Sequence, residues 1–434
     1  MEAGHARLRT GRAHVDAVEP ARSAPSSEPP VGDSAAARTI AGEAARGGDP
    51  RRLDPARVVT LQRLAGNAAV TTLLTPAGVV QRDVEGFLKG TAGGKATSGS
   101  IGTTAGKRSI TAHFFPGTSA EKALVVGGVH GSELSGIAVA EELVRRLSAP
   151  GAAPPFFSVV IVPTLFPDSV AARRDFEAKL KGPLSPDDYA KAAAKAGDPG
   201  RTTKGQEDPN RQMPMPGTAF DPKNPVDAAG RLIEVENQAL LELIQRFAPV
   251  RIASLHAIKN PDRAGVFADP HPSVTGADPA LAGRMDALAL EMARKAQAGG
   301  ARVAGNKLGG KAGGTSLYPG QDPKQSKEQI ERENKKGTSL GQWGPSRGIG
   351  VLTIELPQQY DTSSPVTDPG RGKEIAAHAE ALQEIFLGPT PEALVEAVKA
   401  IGAGLAAAAG SVAGALGSVA AAIGAGVGAA QKKP

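Results

Sequence analysis

The chain has 434 residues, no cysteine, and a net charge of +6 from 50 basic and 44 acidic side chains. The length allows more than one domain, and the absence of cysteine excludes disulfides and thiolate metal ligands. No dense basic block interleaved with aromatics is present, which argues against binding to nucleic acid. The first residues lack the apolar core of a signal peptide, so we expect synthesis and folding in the cytoplasm.

The N-terminal part divides into two predicted segments. Residues 1–55 are rich in Ala, Arg, Pro, Ser and Gly, a composition that predicts disorder. Residues 56–88 follow a helix start at Asp54-Pro55, and apolar residues recur there at helical spacing. We predict a short helical docking or targeting segment, with a marginal helix in a linker as the alternative. Lysine first occurs at Lys89, which marks the boundary.

Strands and helices alternate over residues 100–388, which predicts an α/β domain with a mixed, largely parallel sheet covered by helices on both faces. The predicted strands are 109–114, 123–127, 158–163, 251–255, 265–267 and 350–356. The predicted helices are 133–147, 229–247, 279–296 and 372–386.

Three further segments differ in composition from the predicted strands and helices. Polar insertions at 179–206 and 306–347 are candidate lids over a site, with surface decoration as the alternative. Residues 389–434 form an Ala/Gly-rich apolar tail without charge between 400 and 430. We predict a low-complexity tail, because Ala contributes little insertion energy, with contact to a membrane as the alternative.

Four residues predict a hydrolytic zinc site. His130 and Glu133 lie three positions apart after an apolar, strand-like run that ends in glycines. His256 ends another apolar run and offers a third ligand, which leaves a fourth position for water. Glu355 lies in a strand-like segment and is the candidate general base. Each signal taken singly is weak, since His256 is also compatible with a core histidine and Glu355 with a strand-edge charge.

Three polar residues in the first insertion and just beyond it are candidates for contacting a substrate. Asn210 and Arg211 follow Asp208-Pro209, and arginine forms bidentate bonds with carboxylates. We therefore expect this pair to bind a substrate carboxylate. Arg201 is the candidate for polarising the scissile carbonyl.

The ordered set formed by Gly127 to Glu133, Asp208 to Arg211, Ser254 to His256 and Thr353 to Pro357 resembles the M14 family of zinc carboxypeptidases. The resemblance covers roughly residues 105–388. It implies a carboxypeptidase-like fold, one zinc ion on His130, Glu133 and His256, and Glu355 as general base. It also implies Asn210 and Arg211 on a terminal carboxylate, with Arg201 as catalytic arginine.

Within the family, the motifs look closest to the bacterial branch that acts on peptidoglycan stem peptides. One departure concerns the tyrosine that the family often carries shortly before the catalytic glutamate. Trp343 lies in that stretch here and is the candidate replacement in substrate binding. The desuccinylase and aspartoacylase group shares part of the pattern, so an N-acyl amino acid deacylase stays open.

A second resemblance covers about a dozen residues. Leu61 to Val70 is similar to a motif in proteins associated with extracellular contractile injection systems. It implies an effector cargo that leaves the cell without a signal peptide and contacts components of that system. A non-catalytic cargo with a membrane-active tail is the remaining alternative.

Overall fold

The structure is a computed structural model, which describes residues 83–203, 206–310 and 313–389. The predicted segment 1–55, nearly all of 56–88 and the tail from residue 390 onward lie outside the described residues. No helix in the described ranges has the length and hydropathy that a membrane span requires.

Seven strands form one mixed sheet in the order β1-β2-β4-β3-β5-β7-β6. The four strands β4, β3, β5 and β7 run parallel to one another at its centre. The outer pairs, β1 with β2, β2 with β4 and β6 with β7, are antiparallel. The strands are β1 Thr97–Thr103, β2 Ser109–Phe115, β3 Lys122–Val126, β4 Ser158–Val162, β5 Arg251–Ala257, β6 Gly265–Asp269 and β7 Gly350–Leu356.

Nine α-helices accompany these strands in the described part of the chain. They are α1 Val84–Thr91, α2 Leu134–Leu147, α3 Pro167–Glu177, α4 Pro186–Lys195, α5 Val235–Phe247, α6 Pro279–Ala298, α7 Lys327–Asn334, α8 Leu340–Ser346 and α9 Arg371–Ala381. Short 3₁₀ turns span Pro209–Arg211, Pro261–Arg263 and Ala304–Asn306, and a π turn spans Leu382–Phe386.

Helices cover both faces of the sheet, as predicted. Alternate side chains of the central strands enter two different apolar clusters, because neighbouring strand residues point to opposite faces. Val125 and Leu255 pack on one face with α2, α6 and α9. Leu124 and Ile252 pack on the other face with α1, α5 and α8. The predicted α/β fold class with a mixed, largely parallel sheet is confirmed.

The prediction missed several elements for identifiable reasons. Strand β1 has the sequence TSGSIGT, whose glycines and small polar residues give no apolar alternation, and it forms through pairing with β2. Both polar insertions contain helices: α4 lies in the first, and α7 and α8 lie in the second. Ser185 and Ser326 begin α4 and α7 with side-chain caps, a local signal that the composition of the insertions obscured.

The sheet topology places the carboxyl ends of β3, β5 and β7 side by side, since these strands are parallel neighbours. His256 on β5 lies directly opposite Glu355 on β7 in the strand register. Both residues are the penultimate residues of their strands, as predicted for Glu355, whereas the predicted strand 251–255 ended just before His256. Residues that are more than 200 positions apart in the chain therefore meet at this edge.

Candidate metal and hydrolytic site

The loop between β3 and α2 carries two of the predicted site residues. Gly128 adopts a φ of +62°, which favours glycine and turns the chain away from the sheet. At Gly131, a Cβ atom would lie 2.3 Å from the backbone of Ser169, so only glycine fits between the loop and α3. This tight path brings His130 back towards the sheet edge and leaves Glu133 as the residue that precedes α2.

Three buried side chains converge at this edge. Ligand atoms of His130, Glu133 and His256 all lie within 4.8 Å of one another. The Nδ1 atom of His130 is 3.0 Å from Glu133 Oε1, and the Nδ1 atom of His256 is 2.9 Å from Oε2 of the same carboxylate. Two imidazole nitrogens and the carboxylate of Glu133 thus lie together in one buried cluster.

This donor set fits a metal ion on the chemistry of its atoms. The Nδ1 atom of His130 is buried and makes no hydrogen bond to any described residue, although it faces Glu133. Burial opposes ionisation of Glu133, but the adjacent histidines hold the pKa of this carboxyl well below its usual range. An ionised carboxylate beside two imidazoles is a typical set for a transition-metal ion, and an orphaned buried nitrogen gains a partner when such an ion binds.

Contacts to Nε2, the ring nitrogen that does not face Glu133, orient both histidines. Asp208 Oδ1 lies 2.9 Å from His130 Nε2, which favours the tautomer whose Nδ1 lone pair faces the Glu133 carboxylate. The same oxygen accepts the Asn210 backbone N–H at 2.8 Å. Burial opposes ionisation of Asp208, yet the bond to His130 lowers the pKa of this carboxyl. Ser254 Oγ lies 3.0 Å from Nε2 of His256 and orients that ring similarly.

Glu355 is the fourth predicted residue at this edge. It is nearly buried, and it makes no ion pair with a described lysine or arginine. Burial raises the pKa of Glu355, and the nearby Glu133 carboxylate raises it further. Its Oε1 atom accepts the hydroxyl proton of Tyr318 at 2.8 Å. A carboxylate with a raised pKa next to a metal-type donor set has the properties of a general base.

The structure also brings the three predicted substrate-contacting residues close to the cluster. Arg201 contacts the Glu133 carboxylate, and its Nη2 atom lies 3.5 Å from Asp208. Asn210 and Arg211 lie on the 3₁₀ turn that Asp208 begins, so the His130 partner and this pair share one turn. The guanidinium of Arg211 is exposed and makes no ion pair among the described residues, which leaves it available to an anion.

Trp343 lies elsewhere, which corrects its predicted place beside the site. Its side chain is 1% exposed and packs in the apolar cluster under α5 and α8. The indole N–H donates to the Thr218 carbonyl at 2.9 Å. Burial of its large ring stabilises Trp343 in this position. Its place in the sequence did not indicate that the side chain faces the core.

Tyr318 is the aromatic residue that the sequence analysis missed. Its ring packs against Phe267 with centroids 5.1 Å apart, and its hydroxyl reaches Glu355. It lies 37 positions before Glu355 within the Gly- and Lys-rich insertion. The available signal was the rarity of tyrosine, since only three occur in the chain.

An open cleft leads from the surface to the cluster. Its lining includes Glu133, Arg201, Lys259, Arg263, Tyr318 and Glu355. Lys259 forms a 2.8 Å ion pair with Asp198, and the Asp198 carboxylate also forms an ion pair with the buried Arg173. The cleft is therefore polar, and it mixes both signs of charge around the donor set.

Comparison with known proteins gave matches among solved structures only. No family model and no curated protein matches the chain. A metallo-carboxypeptidase from Burkholderia cenocepacia is 14% identical, with 69% of this chain and 67% of that chain covered and a TM-score of 0.39. The murein-tripeptide amidase MpaA from Escherichia coli O157 is 17% identical, with 66% and 91% covered and a TM-score of 0.37.

A third similar structure is bovine thrombin-activatable fibrinolysis inhibitor, solved in complex with a tick carboxypeptidase inhibitor. It is 13% identical, with 70% of this chain and 94% of that chain covered and a TM-score of 0.37. The sequence identities and TM-scores are low, so the chemistry of the site is argued from the residues of this chain alone.

Proposed function

We propose that residues 100–388 form a zinc-dependent metallocarboxypeptidase domain of the M14 type. It would hydrolyse an amide bond next to a free carboxylate. The observation that carries this proposal is the convergence of His130, Glu133 and His256 in one buried donor set, with Glu355 opposite His256 in the strand register. Two histidines and one glutamate with an open fourth position are the ligand set of a catalytic zinc in carboxypeptidase A.

Each side chain has a role in this proposal. Zinc supplies Lewis acidity, which activates water and polarises a carbonyl oxygen. Glu355 takes a proton from the attacking water and delivers it to the leaving amine. Arg201 contacts the Glu133 carboxylate at the cleft, where its charge can stabilise the oxyanion that develops on the substrate.

Recognition of a free carboxylate is assigned to one turn of the chain. Asn210 and Arg211 both lie on the 3₁₀ turn that Asp208 caps, and the Asp208 carboxylate contacts Nε2 of His130. Arginine binds carboxylates through two parallel hydrogen bonds, which fixes their orientation. Because one turn supports both the metal ligand and the clamp, the scissile amide next to a bound carboxylate would lie beside the metal.

The proposed substrate and the proposed export route depend on sequence motifs alone. Peptidoglycan stem peptides are the substrate that the motif resemblance favours. Export as cargo of a contractile injection system depends on Leu61 to Val70, which lie outside the described residues, and it stays a prediction. The same holds for the proposed boundaries of the N-terminal segments and of the tail beyond residue 389.

A cleavage assay on a mixed panel tests the proposal. The zinc-loaded full chain is incubated with muropeptides, ordinary peptides and N-acyl amino acids, and the products are identified by mass spectrometry. Glu355→Gln is the matched control, because it keeps the shape of the side chain and removes the base. We expect loss of a terminal residue with the wild-type protein and about 100- to 10,000-fold slower loss with the variant.

Other outcomes separate the alternatives. Cleavage of N-acyl amino acids alone would favour a deacylase over a carboxypeptidase. Equal turnover by wild type and Glu355→Gln would contradict the role of Glu355. No cleavage of any member would contradict the proposed hydrolase and favour a non-catalytic cargo.

A further inference from the structure

A tight turn after α4 carries Arg201 to the cleft. Gly197 and Asp198 both adopt left-handed backbone conformations, with φ values of +76° and +53°. The Arg201 backbone N–H donates to the Asp198 carbonyl at 3.0 Å, which closes the turn. A left-handed conformation costs free energy at a residue other than glycine, and the contacts of the Asp198 side chain offset this cost.

The same turn packs against the loop that carries the candidate metal ligands. A Cβ atom at Gly200 would lie 2.5 Å from the Ser169 carbonyl oxygen, so the turn approaches α3 closely. The Gly200 carbonyl accepts the backbone N–H of Ser132 at 3.1 Å, and Ser132 immediately precedes Glu133. A shift of this turn would therefore displace Arg201 relative to Glu133.

The Asp198 carboxylate joins two cations from different elements. Its Oδ1 atom lies 3.2 Å from Nη1 of Arg173 on α3, and its Oδ2 atom lies 2.8 Å from Nζ of Lys259. Arg173 is fully buried, and Asp198 is its one ion-pair partner among the described residues. Lys259 is half exposed in the cleft and follows His256 by three positions. The turn is thus tied to α3 and to the end of β5.

We propose that Asp198 is a positioning residue, which fixes Arg201 where its charge stabilises the oxyanion that develops on the substrate. The inference rests on the proposed function, because Arg201 has to act on that charge. Arg173 and Lys259 anchor the Asp198 carboxylate, and the short turn transmits this position to Arg201. A displacement of about 1 Å at a reacting group can slow a reaction about 100-fold, so the anchors affect the chemical step.

A double-mutant cycle tests this role by kinetics. Zinc-loaded, full-length wild type, Asp198→Asn, Arg201→Ala and the double variant are compared on the panel member that the wild type cleaves. Asparagine tolerates the left-handed conformation, so Asp198→Asn removes the charge and keeps the turn. We expect kcat to fall about 10- to 30-fold and KM to stay within about twofold. In the Arg201→Ala background, the same substitution should lower kcat less than about twofold.

Binding of a peptide phosphonate gives a readout that does not require turnover. The tetrahedral anionic group of this ligand imitates the oxyanion, so its affinity reports on the position of Arg201. Its dissociation constant is measured calorimetrically with the same four proteins. We expect about tenfold weaker binding by Asp198→Asn, and less than about twofold further loss when this substitution is added to Arg201→Ala.

Two further variants separate positioning from stability. Tyr189→Phe removes the hydroxyl that accepts from Nε of Arg173 at 3.0 Å but leaves both anchors of Asp198 in place. It should lower the melting temperature and leave kcat unchanged. Lys259→Met removes only the exposed anchor, so kcat should fall about threefold, and this variant decides the test if Asp198→Asn fails to fold.

The outcomes distinguish this inference from the proposed function. Unchanged kcat and phosphonate binding in Asp198→Asn, or an equal loss with and without the Arg201 side chain, overturns the inference, because Asp198 then only neutralises Arg173. If the wild type cleaves no panel member, the proposed function fails and phosphonate binding decides. A loss of affinity that depends on Arg201 then supports the positioning role, whereas an independent loss, no loss or no binding contradicts it.

Discussion

At the scale of single residues, His130 depends on Asp208. The 2.9 Å contact to Nε2 directs the Nδ1 lone pair towards Glu133 and His256. Asp208→Asn removes the charge and keeps the size of the side chain. We expect zinc affinity or activity to fall about 10- to 100-fold, as for other carboxylates that support a metal-bound histidine. Zinc competition with a chromophoric chelator measures the affinity.

A matched control for Asp208 lies on α4. Asp187→Asn removes an exposed aspartate that has no hydrogen bond to the site, and it should leave zinc affinity unchanged. If Asp208→Asn bound zinc as tightly as wild type, the orienting role of Asp208 would be refuted.

At the scale of secondary-structure elements, α5 supports the 3₁₀ turn that carries the proposed carboxylate clamp, Asn210 and Arg211. The buried Asn237 donates through Nδ2 to the Pro209 carbonyl at 2.8 Å and to Gln212 Oε1 at 3.2 Å. Loss of a buried hydrogen bond costs about 1–2 kcal/mol. In Asn237→Ala we expect KM for carboxylate-terminated substrates to rise about tenfold, with a smaller change in kcat, because the turn carrying Asn210 and Arg211 loosens.

Gln245→Ala provides the comparison on the same helix. Gln245 also donates to a backbone carbonyl, that of Phe220 at 2.8 Å, but it lies away from the 3₁₀ turn. Its KM should match that of wild type. Equal effects of the two substitutions would show that α5 acts through general stability and not through the clamp.

Among the elements, the sequence predicted best where apolar runs are strong. Strand β3 and the turn to His130 and Glu133 follow from a buried run that ends in glycines. Strand β1 and the helices of the insertions depend on long-range pairing and local caps, which composition does not reveal.

The same limit explains the aromatic residues of the site. Trp343 was predicted beside the site because its position along the chain matched an expected tyrosine. Tyr318 occupies the position beside Glu355 because the insertion folds back against Phe267. Sequence separation does not reveal that the insertion folds back in this way. The convergence of His130, Glu133 and His256 was predictable because each residue lies at or near the end of a strand.

At the scale of the whole molecule, stability should depend on the titration of His378 in α9. This side chain is 1% exposed, and neither ring nitrogen has a hydrogen-bond partner within the part of the chain that the structure describes. Burial lowers the pKa of His378 to about 4 from the ordinary value of 6.5. The unfolded chain therefore binds a proton that the folded protein excludes between these pH values. The free energy of unfolding should fall by about 3 kcal/mol from pH 6.5 to pH 4 through this group.

Chemical denaturation at several pH values tests this dependence. His378→Leu replaces the ring with an apolar side chain of similar volume and should remove this part of the pH dependence. Above about pH 7.5, where both states hold a neutral histidine, this contribution is constant. An unchanged slope between pH 6.5 and pH 4 in His378→Leu would contradict the assignment.

The metal content of the purified full-length protein tests the central claim most directly. Protein equilibrated with a small excess of zinc and then desalted is measured by inductively coupled plasma mass spectrometry, with wild type, Glu355→Gln and the double variant His130→Ala/His256→Ala in parallel. We predict ~1 zinc per chain in the first two proteins and ~0.1 or less in the double variant, because two of three ligands are lost. Zinc-free wild type, or equal zinc in the double variant, would contradict a metal centre at His130, Glu133 and His256.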